Sequence, residues 1–201
     1  RVFKVKEHIR NIYYASKAFV ILKRNKKFRL MNKKLKERIM LSITEVNGCT
    51  MCSFVHTKLA LSSGMSNDEI QELLIGNQEN VPLEEAVAVV FGTHFADSKE
   101  HPDSKVIGRL QDEYGHKKTE LILSASFMIT MTNGMGTSMD HLYQRLRFKR
   151  NSKSNVLNEI LGVLIILSSL LVAFSKEKSE DEYISKIDEI YLIKEKEILS
   201  V

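Results

Sequence analysis

The chain has 201 residues, of which 43% are hydrophobic and 27% charged, with a formal net charge of +5. This balance excludes a disordered chain and suits one domain, or one domain with an appendage, around a sizeable core. Two prolines, no tryptophan and only two cysteines exclude collagen-like and disulfide-scaffold secreted proteins, and richness in Leu, Ile, Lys, Glu and Met points to an all-helical fold.

Residues 4–22 place Val5, Ile9, Ile12, Tyr13, Phe19 and Val20 at helical spacing, with the small Ser16 on the same stripe. This N-terminal stretch is basic and amphipathic and has no signal cleavage site, so a cytoplasmic, reducing location is expected. Lys23, Arg24, Lys26, Lys27, Arg29, Lys33, Lys34, Lys36 and Arg38 crowd the next stretch, and Arg145, Arg147, Lys149, Arg150 and Lys153 a later one. No nucleic-acid motif accompanies them, so they read as solvated surface, and neither nucleic acid nor membrane is expected as a partner.

A second helical stripe runs from Lys33 to Glu45 with Leu35, Ile39, Met40 and Ile43. Asn47-Gly48 breaks it, and Asn47 or Gly48 is expected to cap a helix from about Cys49 to Leu61. Ser63-Gly64 ends that helix. Ser66 with Glu69 forms a capping-box pattern, so a helix starts near Asn67 and stops at Gly76-Asn77. Pro82 suits the first turn of the next, which reaches about Asp97. Asp103 or Ser104 opens a further helix, closed at Gly115. Lys117–Met131 follows, then a glycine-containing break from Asn133 to Gly136, then a short helix at Ser138–Lys149. Ile160 to Phe174 carries no charge; it is short for a membrane span, so a helix buried in the core or in a subunit interface is expected over Val156–Phe174. Residues 179–199 read as an amphipathic closing helix. Three parts emerge: a basic helical segment at 1–30, a core at 31–150 and C-terminal helices at 151–201.

The chemistry concentrates in Asn47-Gly48-Cys49-Thr50-Met51-Cys52-Ser53-Phe54-Val55-His56. Cysteines at i and i+3 of a helix share a face, with Cα atoms about 5–6 Å apart, the separation a disulfide needs. His56 lies one turn beyond Cys52 on that face. A thiol attacks as thiolate, and the unpaired amides at a helix start favour that negative charge. His56 can take the Cys52 proton, and Glu37, on the preceding helix, can return to orient His56 if the two helices pack antiparallel. Plainer readings stand beside this one. The cysteines can be inert core residues. Cys49, Cys52 and His56 can be three zinc ligands, with His94, His141 or Glu37 as a fourth. Met51 and Phe54 read as packing residues, His94 as structural, and His8, His101 and His116 as exposed.

The stretch Glu37–His56, a glutamate followed twelve residues later by Cys-x-x-Cys and then histidine at i+4, resembles the carboxymuconolactone decarboxylase and alkylhydroperoxidase D-like family. The resemblance extends over roughly residues 30–148. It implies a compact multi-helix bundle that assembles into symmetric oligomers, trimers or hexamers. It implies a peroxidase or disulfide oxidoreductase with Cys52 attacking, Cys49 resolving and Glu37 and His56 as proton relay. Hydroperoxides or disulfides would be the substrates, a thioredoxin-like or dihydrolipoyl protein the reductant, and no metal or other cofactor would be needed. The family's decarboxylases generally lack the cysteine pair. Met51 departs from the aromatic residue or histidine often found before the second cysteine, and Gly134 from the usual arginine after asparagine.

Overall fold

The computed structural model describes residues 1–28, 30–149 and 154–175; the helix expected over 179–199 lies outside them. In chain order the helices are α1 (Val5–Phe28), α2 (Lys33–Asn47), α3 (Thr50–Ser62), α4 (Asn67–Leu74), α5 (Leu83–Asp97), α6 (Ser104–Leu146) and α7 (Val156–Ser175), and no strand occurs among the described residues. The fold is all-α, as the composition implies. The chain divides into two units, Arg1–Leu167 and Ser168–Val201, and the structure below is that of the first.

Local signals fix the helix ends. Asn32 caps α2 by accepting the Leu35 N–H at 2.7 Å, and Ser66 caps α4 by accepting the Glu69 N–H at 3.2 Å. The Glu69 carboxylate does not return to its own cap, because Arg38 takes it instead (Nε to Oε1, 2.5 Å). Arg38 also donates to Glu85, which holds the Asn32 side chain at 3.1 Å. So Arg38, expected on a solvated surface, is buried and joins α2 to α4 and α5. Its burial is stable only because both carboxylates meet it.

The main core packs Leu35, Ile39 and Ile43 of α2 against Ala88, Phe91 and Phe95 of α5 and Leu110, Ile122, Ala125 and Ile129 of α6. Burying each large aliphatic or aromatic side chain contributes about 1.5–3 kcal/mol. A second cluster, with Leu41, Ala60, Ile70, Leu73 and Val89, seats α3 and α4 on the other side of α2. α1 lies along α6, its Ala15 and Ala18 buried and its Tyr14 ring stacked on Phe127 at 4.5 Å.

The expected break at Gly115 is real, with φ 70 and ψ 166, although one helix continues on each side of it. The expected break at Asn133–Gly136 is absent, and α6 passes through it without a turn. Glycine lowers helix propensity by only about 1 kcal/mol. Here that loss is outweighed by close packing of neighbours on α6, at a place where no side chain fits. The apolar Ile160–Phe174 stretch is helical, and no helix of the described residues is long and apolar enough to cross a membrane.

Candidate redox site

The turn between α2 and α3 builds the site. Gly48 closes α2 in the left-handed region (φ 67), and its N–H reaches the Thr44 and Glu45 carbonyls at 2.9 and 3.0 Å. Glycine adopts this backbone without the Cβ penalty. Asn47 is the last residue of α2, so neither it nor Gly48 caps the next helix. Cys49 does so itself: its Sγ accepts the Cys52 N–H at 3.3 Å. The Cys49 and Cys52 sulfurs are bonded to each other, with Cα atoms 5.3 Å apart.

The two sulfurs differ. Cys49 is 1% exposed and Cys52 7%, so Cys52 is the one that solvent touches. Capping a helix start favours a negative sulfur at Cys49. The Cys52 Sγ stands 3.6 Å from the Thr132 carbonyl of α6. A bonded sulfur carries no hydrogen, so this is a contact in the disulfide; once reduced, the Cys52 S–H can donate to that oxygen. This favours the protonated thiol.

A histidine–carboxylate pair lies near the turn. His56 Nδ1 lies 2.7 Å from Glu37 Oε2, both side chains being largely withdrawn from solvent. Lys36 Nζ sits 3.1 Å from the other Glu37 oxygen. Burial pushes the Glu37 carboxyl up, but the hydrogen bond with His56 and the charge of Lys36 outweigh it and hold the group below its ordinary value. Ionised Glu37 accepts from Nδ1–H, which leaves the Nε2 lone pair of His56 available as a base. The structure thus brings Glu37 to His56 on neighbouring helices, and puts His56 one turn from Cys52.

One contributor was not foreseen. Gly136 of α6 faces the sulfurs: a Cβ there would meet Cys49 Sγ at 2.5 Å, Cys52 Sγ at 3.1 Å and Met51 Cε at 3.4 Å. The expected helix break is thus a place where α6 must be bare. The signal was present as Gly-Met-Gly inside an otherwise helical pattern, which marks close packing as readily as a turn. Thr44 Oγ1 meets Asn133 Oδ1 at 3.2 Å and ties α2 to α6 behind the turn.

Other candidates fall elsewhere. His94 Nε2 accepts the Asp103 N–H at 3.3 Å, a structural contact. His8 is not exposed but 2% accessible, with Nε2 3.4 Å from Ser138 Oγ. Phe54, Val55 and Leu59 leave an apolar face of α3 exposed, Phe54 at 61%, so Phe54 does not pack inside the subunit; Met51 is half exposed but turns its Cε toward Gly136 beside the sulfurs. Among the described residues no three His, Cys, Asp or Glu side chains are grouped to hold a metal ion.

Fold and site together define an all-helical protein with a bonded Cys-x-x-Cys pair and a histidine–carboxylate couple on the same two helices. Residues 23–88, which contain Glu37, Cys49, Cys52 and His56, match the family model described as Carboxymuconolactone decarboxylase family, a family that includes alkylhydroperoxidase-like members. No curated protein and no solved structure matches the chain.

Proposed function

We propose that the protein is a thiol-dependent peroxidase or disulfide oxidoreductase. The observation that carries this reading is the 2.7 Å contact between His56 and Glu37 beside a bonded cysteine pair. In the reduced enzyme His56 Nε2 takes the Cys52 proton, directly or through one water. The Cys52 thiolate attacks the outer oxygen of a hydroperoxide ROOH. The O–O bond breaks, Cys52 becomes a sulfenic acid, and RO⁻ leaves as ROH with the proton from His56. Cys49, whose thiolate the helix start favours, attacks the Cys52 sulfur. The S–O bond breaks, water leaves and the disulfide closes. The balance is dithiol plus ROOH giving disulfide, ROH and water.

An external dithiol, thioredoxin-like or dihydrolipoyl, returns the pair to thiols by exchange, and no metal or cofactor takes part. With a disulfide as substrate, the same exchange runs in the opposite direction. The exposed apolar face of α3 supports assembly into a homo-oligomer, a trimer or hexamer, which sedimentation would read. The cytoplasm supplies the reducing surroundings that the cycle requires. A zinc-stabilised module fits less well, because among the described residues no group of three His, Cys, Asp or Glu side chains is gathered to hold a metal ion.

The test is turnover of an organic hydroperoxide with dihydrolipoamide as reductant. Cys52→Ser is expected to abolish it, and Cys49→Ser to accumulate a sulfenic acid at Cys52 that dimedone captures. Dimedone label on Cys49 of the Cys52→Ser variant, with turnover retained, would reverse the assignment.

A further inference from the structure

We propose that the pocket between the start of α1 and the α5–α6 turn binds a compact anion with two or more negative charges, of the phosphate-ester or polycarboxylate kind. The pocket has a volume of about 190 Å³ and is lined by Lys4, Lys6, Glu7, Arg10, Lys99 and His101. That is room for a small ligand headgroup.

Its charges do not balance internally. The one acid in the lining, Glu7, is fully engaged: Arg1 Nη2 holds one oxygen at 2.6 Å and the Lys4 N–H the other at 2.7 Å. Glu100 lies beneath with its side chain wholly buried, and takes Arg1 Nη1 at 2.7 Å as well as Arg10. Two carboxylates therefore answer two guanidiniums. Among the described residues no carboxylate pairs with Lys4, Lys6 or Lys99. Three lysines without a carboxylate partner therefore line one cavity, which favours a multiply charged anion over chloride.

The backbone supports the same reading. Lys99 and Glu100 are consecutive non-glycine residues in the left-handed region, at φ 53 and 62. Such strain persists only where surroundings impose it, and it gathers at ligand sites. Here the arginines pin Glu100 inward, and Lys99 joins the lining. Arg10 Nη2 also donates to the Lys99 carbonyl at 2.9 Å and so holds the turn in place. Arg1 connects this pocket to the redox turn, since its Nη1 donates to Asn47 Oδ1 at 3.1 Å, two residues before Cys49.

The experiment is calorimetric titration of the full chain at low ionic strength with pyrophosphate and with citrate, with sodium chloride at matched ionic strength as control. One saturable site is expected, weakened about three- to tenfold by Lys6→Gln and by Lys99→Asn, each removing one unit charge at a few ångströms. Asparagine keeps the left-handed backbone accessible, so the second variant tests charge and not strain. Lys105→Gln, outside the pocket, leaves the affinity unchanged. Tighter binding of pyrophosphate assigns the site to phosphate esters, and tighter binding of citrate to polycarboxylates. No saturable binding, or equal weakening by Lys105→Gln, overturns the proposal. None of these readouts depends on the thiols.

Discussion

Gly136→Ala probes how α6 shapes the sulfur centre. The added Cβ would stand 2.5 Å from Cys49 Sγ, closer than real Cβ contacts allow, and 3.1 Å from Cys52 Sγ, tighter than most of them. Relieving such overpacking costs about 1–3 kcal/mol. The cost differs between redox states. Free thiols turn about their own χ1 angles and can step away one at a time, whereas bonded sulfurs can move only together. The penalty therefore falls mainly on the disulfide. Alanine also gains about 1 kcal/mol of helix propensity, but this gain is the same in both states and cancels. For a two-electron couple about 1.4 kcal/mol corresponds to 30 mV, so the reduction potential should rise by roughly 20–60 mV. Equilibration against graded dithiothreitol ratios, read by intact mass, measures it. An unchanged potential would refute the claim that α6 is bare at this point to admit the bonded pair.

Three further outcomes follow from the same geometry. Glu37→Gln removes the carboxylate that holds Nδ1–H of His56, and should slow thiol oxidation by peroxide about 10²-fold; an unchanged rate would remove Glu37 from the relay. His8→Gln should flatten the loss of stability on mild acidification. Burial holds His8 below its ordinary value, with Glu7 opposing and Arg1 assisting. Stability is then complete above about pH 6.5, and falls below it by up to about 1.4 kcal/mol per pH unit, as the unfolded chain takes up a proton that the folded one refuses. Glu7 and Glu37, whose folded values are lowered, contribute stability that is lost only below about their ordinary 4.5, so the two windows separate in melting curves against pH. Identical wild-type and variant slopes between pH 5 and pH 6.5 would contradict this assignment. Arg38→Met leaves Glu69 and the buried Glu85 without their partner and should lower urea-unfolding stability by about 3–5 kcal/mol; a loss below about 1 kcal/mol would show the pair to be replaceable.

The redox turn was legible because its signals are local. Asn47-Gly48 announces a left-handed stop, and cysteine, cysteine and histidine at i, i+3 and i+7 share a helix face whatever the rest of the chain does. Glu37 was reachable by spacing once α2 and α3 were taken as neighbours. What the sequence hid depends on distant partners. Gly134 and Gly136 read as a break because local propensity disfavours glycine in helices, while the reason they lie inside α6 sits on α1 and on the cysteine turn. Arg38 looked like one more surface cation in a basic run, because Glu69 and Glu85 are 31 and 47 residues away. His8 looked exposed for the same reason: α6 covers it from 130 residues off. The cap at Cys49 lies one or two residues beyond the expected Gly48 or Asn47, since sulfur is not among the usual capping side chains. Phe54 read as a packing residue because apolar residues on a helix usually face inward, but its face of α3 is left outside the subunit, whereas Met51 does reach Gly136 with its Cε.

The most direct test is intact-mass spectrometry of the fully reduced protein before and after one equivalent of organic hydroperoxide. A loss of about 2 Da, restored by dithiothreitol and absent in both single-cysteine variants, is what closing the Cys49–Cys52 bond requires. Two thiols that survive excess oxidant, or a gain of oxygen that never resolves into a bridge, would contradict the account.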